Sequence, residues 1–97
     1  MSRVYISGPI TGMPDGNKKA FACEATLLHW LGMQPVNPHD NGLPDGLDWA
    51  DYMRADIKLL MDCDTISMLP GWADSRGARL EHLLATELGL AVIGADK

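Results

Sequence analysis

The chain has 97 residues, 46% of them hydrophobic and 22% charged, which bounds it to one small domain over residues 1–97 with a single core. Its net charge of -5 is spread along the sequence with no basic run, which rules against a nucleic-acid polymer as partner. The apolar runs are only strand-length and Met1-Ser2-Arg3 leads straight into Val4-Tyr5-Ile6, so the sequence predicts no signal peptide and no membrane partner, and a soluble, cytoplasmic protein.

Strand and helix patterns alternate four times, punctuated by Gly, Pro, Asn and Asp. Residues 3–7 read as the first strand. Residues 8–16 hold three Gly and two Pro and read as a loop, followed by a helix over about 17–31 that Gly32 stops. Residues 33–37 give a second strand and residues 38–46 a turn-rich excursion through Asn41-Gly42 and Pro44-Asp45-Gly46. Asp48 is placed to cap a second helix ending near Asp62. A third strand over 65–69, a third helix over 75–88 stopped by Gly89, and a short strand over 90–93 complete the chain.

This rhythm predicts an α/β fold: a small doubly wound parallel sheet of about four strands, ordered 2-1-3-4 and flanked by helices. Such a sheet binds ligands at the carboxyl ends of its strands, beside the reversal between the first and third. Gly8-Pro9 and the segment 69–77 fall there, and so does Glu81 in an early turn of the third helix.

Glu81 interrupts an apolar stripe of Ala78, Leu80, Leu84, Ala85 and Leu88. A carboxylate so placed must be partnered, protonated or working; the bland reading pairs it with Arg76 or Arg79. Asp56 interrupts the second helix in the same way, between Tyr52 and Leu60 on a face with Trp49, Met53, Ile57 and Met61. Glu24 meets the same criterion among Phe21, Leu27, Leu28 and Leu31, so periodicity alone does not choose a pair. The loops rank Glu24 third, because it lies further down its helix from the ligand end.

Other motifs fail on spacing. A phosphate loop would need Gly where Met13 stands and Lys where Pro14 stands, and no Gly-x-Gly-x-x-Gly is present, so no cofactor is expected. His29, His39 and His82 have no zinc spacing; His29 and His82 are read as surface residues and His39 as a residue of the crevice rim. Cys23 and Cys63 are isolated and are read as buried free thiols. Trp72 is either a core anchor or a platform for stacking a planar base.

The segments Val4-Tyr5-Ile6-Ser7-Gly8-Pro9-Ile10-Thr11-Gly12, Asn37-Pro38, Cys63-Asp64 and Leu69-Pro70-Gly71-Trp72, with Phe21, Ala25, Gly32, Asp56, Ser75, Gly77-Ala78, Glu81, Ala85 and Gly89, give a further expectation. Together they resemble the nucleoside 2-deoxyribosyltransferase superfamily, and more closely its short phage- and bacteria-associated branch labelled DUF4406. The resemblance implies a nucleoside or nucleotide N-glycosidase or deoxyribosyltransferase. In that role Glu81 is the nucleophile that forms a glycosyl-enzyme ester, Asp56 holds the sugar and moves a proton to the leaving base, and Tyr5 stands beside the nucleophile. Ser7, Gly8, Pro9, Gly71, Trp72, Ser75 and Gly77 are the expected substrate-binding residues, with Ser75 and Gly77 on the sugar's 5′ side. A homo-oligomer is implied as well. The competing expectation is a non-catalytic nucleotide-binding or interaction module, phage-encoded, that keeps the crevice without the chemistry.

Overall fold

In the computed structural model, which describes residues 2–96, four strands alternate with three helices. They are β1 (Arg3–Ser7), α1 (Lys18–Trp30), β2 (Gln34–Val36), α2 (Trp49–Met61), β3 (Thr65–Met68), α3 (Arg76–Glu87) and β4 (Ala91–Ile93). All pairings are parallel and the order is β2-β1-β3-β4, as the sequence predicts. Parallel neighbours require long crossovers, and each strand is joined to the next through a helix.

The strand period of two divides the core between the faces of the sheet. Tyr5 and Ser7 lie opposite Ile66 and Met68, while Val4 and Ile6 lie opposite Thr65 and Ser67. On the first face Tyr5, Ile66 and Met68 pack with Leu60 of α2 and with Ala78 and Ala85 of α3. On the second, Val4 and Ile6 pack with Phe21 and Leu28 of α1 and with Leu69. Phe21 and Leu28 are fully buried, each stabilising the α1 docking by about 2 kcal/mol. Gly32 and Gly89 end α1 and α3 at φ of 82° and 79°, a left-handed geometry that side chains resist.

The helical stripes run further than the sheet beneath them. Leu88 is 59% exposed and Met61 43% exposed, although both share the expected buried faces. Strands of three to five residues cover less length than helices of 12 and 13 residues, so the last turn overhangs. Three short 3-10 turns, Pro14–Asn17, Pro38–Asp40 and Trp72–Asp74, occupy segments expected to be loop or turn. Proline's fixed φ favours the first two. Asp48 does stand at the start of α2, but its cap is backbone only: its carbonyl accepts from the Asp51 and Tyr52 amides and its side chain makes no capping bond. Cys63 is buried as expected, whereas Cys23 is exposed, on a part of α1 turned away from the sheet.

Candidate active site

The site begins with the alternation along β1, which turns Tyr5 and Ser7 toward α3. Ser75 caps that helix, its Oγ accepting from the Ala78 amide at 3.3 Å. This fixes where the helix starts, and six residues later Glu81 meets β1. The Tyr5 hydroxyl donates to Glu81 Oε2 at 2.5 Å and Ser7 Oγ donates to Oε1 at 2.7 Å. Glu81 is only 4% exposed.

Burial pushes the Glu81 carboxyl up to about 7; the Tyr5 and Ser7 hydrogen bonds pull it down and the charge of Asp56 pushes it further up. Burial, and then the Glu81 charge, hold the Tyr5 phenol well above its ordinary value, so it remains a neutral donor. The carboxyl is thus poised near neutrality while both oxygens are held by hydroxyls.

Neither arginine of the bland reading partners Glu81. The Arg76 guanidinium stacks over the Trp49 ring at 3.7 Å, and Arg79 donates to the Ala73 carbonyl at 3.0 Å. Among the described residues the ion pairs are Lys18–Asp15 and Arg54–Asp51. Glu24 lies on the opposite face of the sheet, accepting from Ser67 Oγ at 2.5 Å. Of the three carboxylates left by periodicity, Glu81 and Asp56 line one cavity and Glu24 does not.

Asp56 is 7% exposed and accepts from Asn41 Nδ2 at 3.2 Å. Burial raises its proton affinity, against opposing effects from the Asn41 hydrogen bond and the charge of His39. Glu81 and Asp56 both line a cavity of about 800 Å3 at the carboxyl ends of β1 and β3, the size of a small-ligand site. Gly8, Ser75 and Gly77 line it too. Gly8, just past β1, packs against Leu69, just past β3: a Cβ there would sit 2.8 Å from Leu69 Cβ. Tyr5 and Ser7 stand behind Glu81 as its hydrogen-bond donors and are not part of the cavity lining.

Besides Ser7, three more expected binding residues, Trp72, Pro9 and Gly71, lie outside the cavity lining. Trp72 is a core anchor, not a stacking platform. Its indole N–H donates to the Ala95 carbonyl at 3.0 Å, its ring packs on His82 with centroids 4.3 Å apart, and its body lies against the α3 side of the core. His82 is therefore half-buried and not the surface residue its polar edge suggested. Pro9 and Gly71 approach one another outside the lining.

The aromatic walls are instead Trp49 and Tyr52, which the helical wheel assigned to the core face. Their position in the first turn of α2, at the ligand end of the sheet, is the signal that would have separated them from core residues. Asn41 and Arg76 were legible only as a turn residue and as a possible ion-pair partner. His39 does reach the cavity; its ring packs edge-on to Phe21 and its Nε2 meets the Gly16 carbonyl at 2.9 Å.

Tyr5→Phe removes a donor that favours the ionised carboxylate. Its expected result is a Glu81 titration displaced above about 7, with the fold kept, read from the protonated-carboxyl stretch in infrared spectra across pH. A lower value would mean that Tyr5 does not stabilise the charge.

A buried, hydroxyl-held glutamate and a second buried carboxyl facing one cavity, at the switch point of a 2-1-3-4 parallel sheet, define a paired-carboxylate α/β site protein. The chain belongs to the family DUF4406, described as a domain of unknown function, whose model matches residues 2–94. Nothing among the curated proteins matches it. Among solved structures it is similar to a 2-desoxiribosyltransferase from Leishmania mexicana, with a TM-score of 0.72 and 21% identity. The match covers 95% of this chain and 62% of that one, so the likeness is one of fold and the chain spans under two thirds of the transferase's length. Among the described residues no helix is long and apolar enough to cross a membrane.

Proposed function

We propose that the protein cleaves or transfers the N-glycosidic bond of a nucleoside or nucleotide through a glycosyl-enzyme intermediate. The observation that carries this reading is the buried Glu81, held at both oxygens by Tyr5 and Ser7 and sharing its cavity with Asp56. The fold shared with a 2-desoxiribosyltransferase supports it.

In the first step an ionised Glu81 oxygen attacks the anomeric carbon, forming an ester bond as the carbon–nitrogen bond breaks. The bonding pair leaves with the base nitrogen, which takes a proton from the Asp56 carboxyl. In the second step water or an acceptor base attacks the same carbon, Glu81 departs as carboxylate, and the incoming group returns its proton to Asp56. Tyr5 and Ser7 fix the attacking oxygen, so little reorganisation is needed in an oxocarbenium-like transition state. Trp49 and Tyr52 supply planar walls suited to a base or sugar face.

The test is incubation with a panel of deoxyribonucleosides and their monophosphates, with and without a free acceptor base. Chromatography reads released base and intact-protein mass spectrometry reads a sugar adduct. Base release with an adduct is the expected result. Binding of a panel member with no release and no adduct would replace this reading with that of a non-catalytic nucleotide-binding module.

A further inference from the structure

Asp56 reaches the cavity with one of its oxygens already engaged, and the residue engaging it comes from a loop rather than from a neighbouring helix. Asn41 follows the Pro38–Asp40 turn, and its own Oδ1 accepts from the Leu43 amide at 3.0 Å. That bond fixes the amide orientation: with the oxygen committed to the turn, only the NH2 end is presented to Asp56 Oδ1, at 3.2 Å. The turn in which Asn41 sits is braced a few residues on, where the Tyr52 hydroxyl donates to the Pro44 carbonyl at 2.6 Å and accepts from the Leu47 amide at 3.3 Å. On the far side of this loop lies a more open groove of about 590 Å3, lined in part by Arg54 and Lys58, which holds neither Glu81 nor Asp56.

We infer that Asn41 is a positioning residue for Asp56: it binds Oδ1, sets the plane of the carboxyl, and leaves Oδ2 as the oxygen that exchanges a proton with substrate. The inference rests on the proposed glycosyl chemistry for its functional consequence, and on geometry alone for the Asn41–Asp56 bond. Asp56 is surrounded by few other groups able to do this. Tyr5 of β1 and Glu81 of α3 act on it or feel its charge, and both are tied to one another; His39 of the Pro38–Asp40 turn acts through its charge, with its Nε2 engaged by Gly16. Asn41 is the neutral donor in contact, and its removal leaves a buried carboxyl oxygen without its partner.

The discriminating variant is Asn41→Asp. The substituted side chain still accepts from the Leu43 amide, so the turn is retained, but it offers Asp56 an acceptor where a donor stood. Carbon-detected NMR of the Asp56 carboxyl in the intact protein is expected to show its titration moved to higher pH in Asn41→Asp, and in the same direction in Asn41→Ala. In the base-release assay kcat is expected to fall about tenfold or more with KM little changed, because proton transfer and not ground-state binding is impaired. An Asp56 titration that stays in place in both variants overturns the inference, whatever the assay gives. If the native protein releases no base, the glycosyl reading fails, while the NMR titration still decides whether Asn41 controls Asp56.

Discussion

Glu81→Gln is expected to lower base release by about a thousandfold or more and to eliminate the sugar adduct, while the protein stays folded and binds nucleoside within a few fold of the native level. The size follows from the proposed role: a nucleophile contributes a covalent step, and of the carboxyls lining the cavity Glu81 is the one held at both oxygens by buried hydroxyls. The retained fold follows from shape. Glutamine keeps one acceptor oxygen for Tyr5 or Ser7, and its NH2 is placed to donate to the other hydroxyl oxygen, so neither buried hydroxyl is stranded. Steady-state base release and binding calorimetry on the same preparation separate the two effects. Turnover within tenfold of native would remove Glu81 from the chemistry and leave the carboxylate a structural group. Glu81→Leu is the harsher companion: it strands two buried hydroxyls at once, a loss of about 1–3 kcal/mol for each. Tolerance of Leu at this position would instead mark Glu81 as an ill-placed group with no buried partners to lose.

The part of this site that was legible in the sequence is the part governed by local periodicity. Tyr5 and Ser7 are two apart on a strand, Glu81 breaks an apolar stripe, and Ser75 and Gly89 bracket its helix, so strand period, helix period and punctuation agree. The order of the strands followed from the crossover rule. What periodicity does not carry is the tertiary assignment of an amphipathic aromatic. Trp49 and Trp72 both have an apolar body and a polar N–H, and either satisfies a wheel or a loop argument. The structure separates them by what the N–H and ring meet: Trp72 donates to Ala95 on the far strand's exit, while Trp49 faces the cavity under Arg76. Asn41 was illegible for a related reason. Asn-Gly reads as a turn whatever the side chain does next, and here one end of the amide makes the turn while the other end reaches Asp56, 15 residues away. Glu24 was ambiguous because a wheel reports a face of a helix but not which face of the sheet receives it.

The burial that raises the Glu81 carboxyl sets a pH dependence of stability, which is the second large effect expected. The folded-state value is raised to about 7 from an ordinary 4.5, so the native protein binds a proton that the unfolded chain has released throughout that interval. Stability from this group is therefore fully present below about 4.5, falls as pH rises toward 7, and is lost above it. The interval corresponds to a decline of about 3 kcal/mol. Contributions from the rest of the chain are largely shared with Glu81→Gln, which lacks the Glu81 step. The difference in unfolding free energy between native protein and Glu81→Gln, measured by urea denaturation from pH 4.5 to 8, isolates it. The native protein should lose ground to the variant as pH rises across that window. A flat difference would mean that the Tyr5 and Ser7 hydrogen bonds fully offset desolvation, leaving Glu81 ionised at its ordinary pH. A decline would mean that the fold tolerates an unfavourable buried charge at neutral pH, a cost that purely structural packing gives no reason to retain and that a nucleophile does.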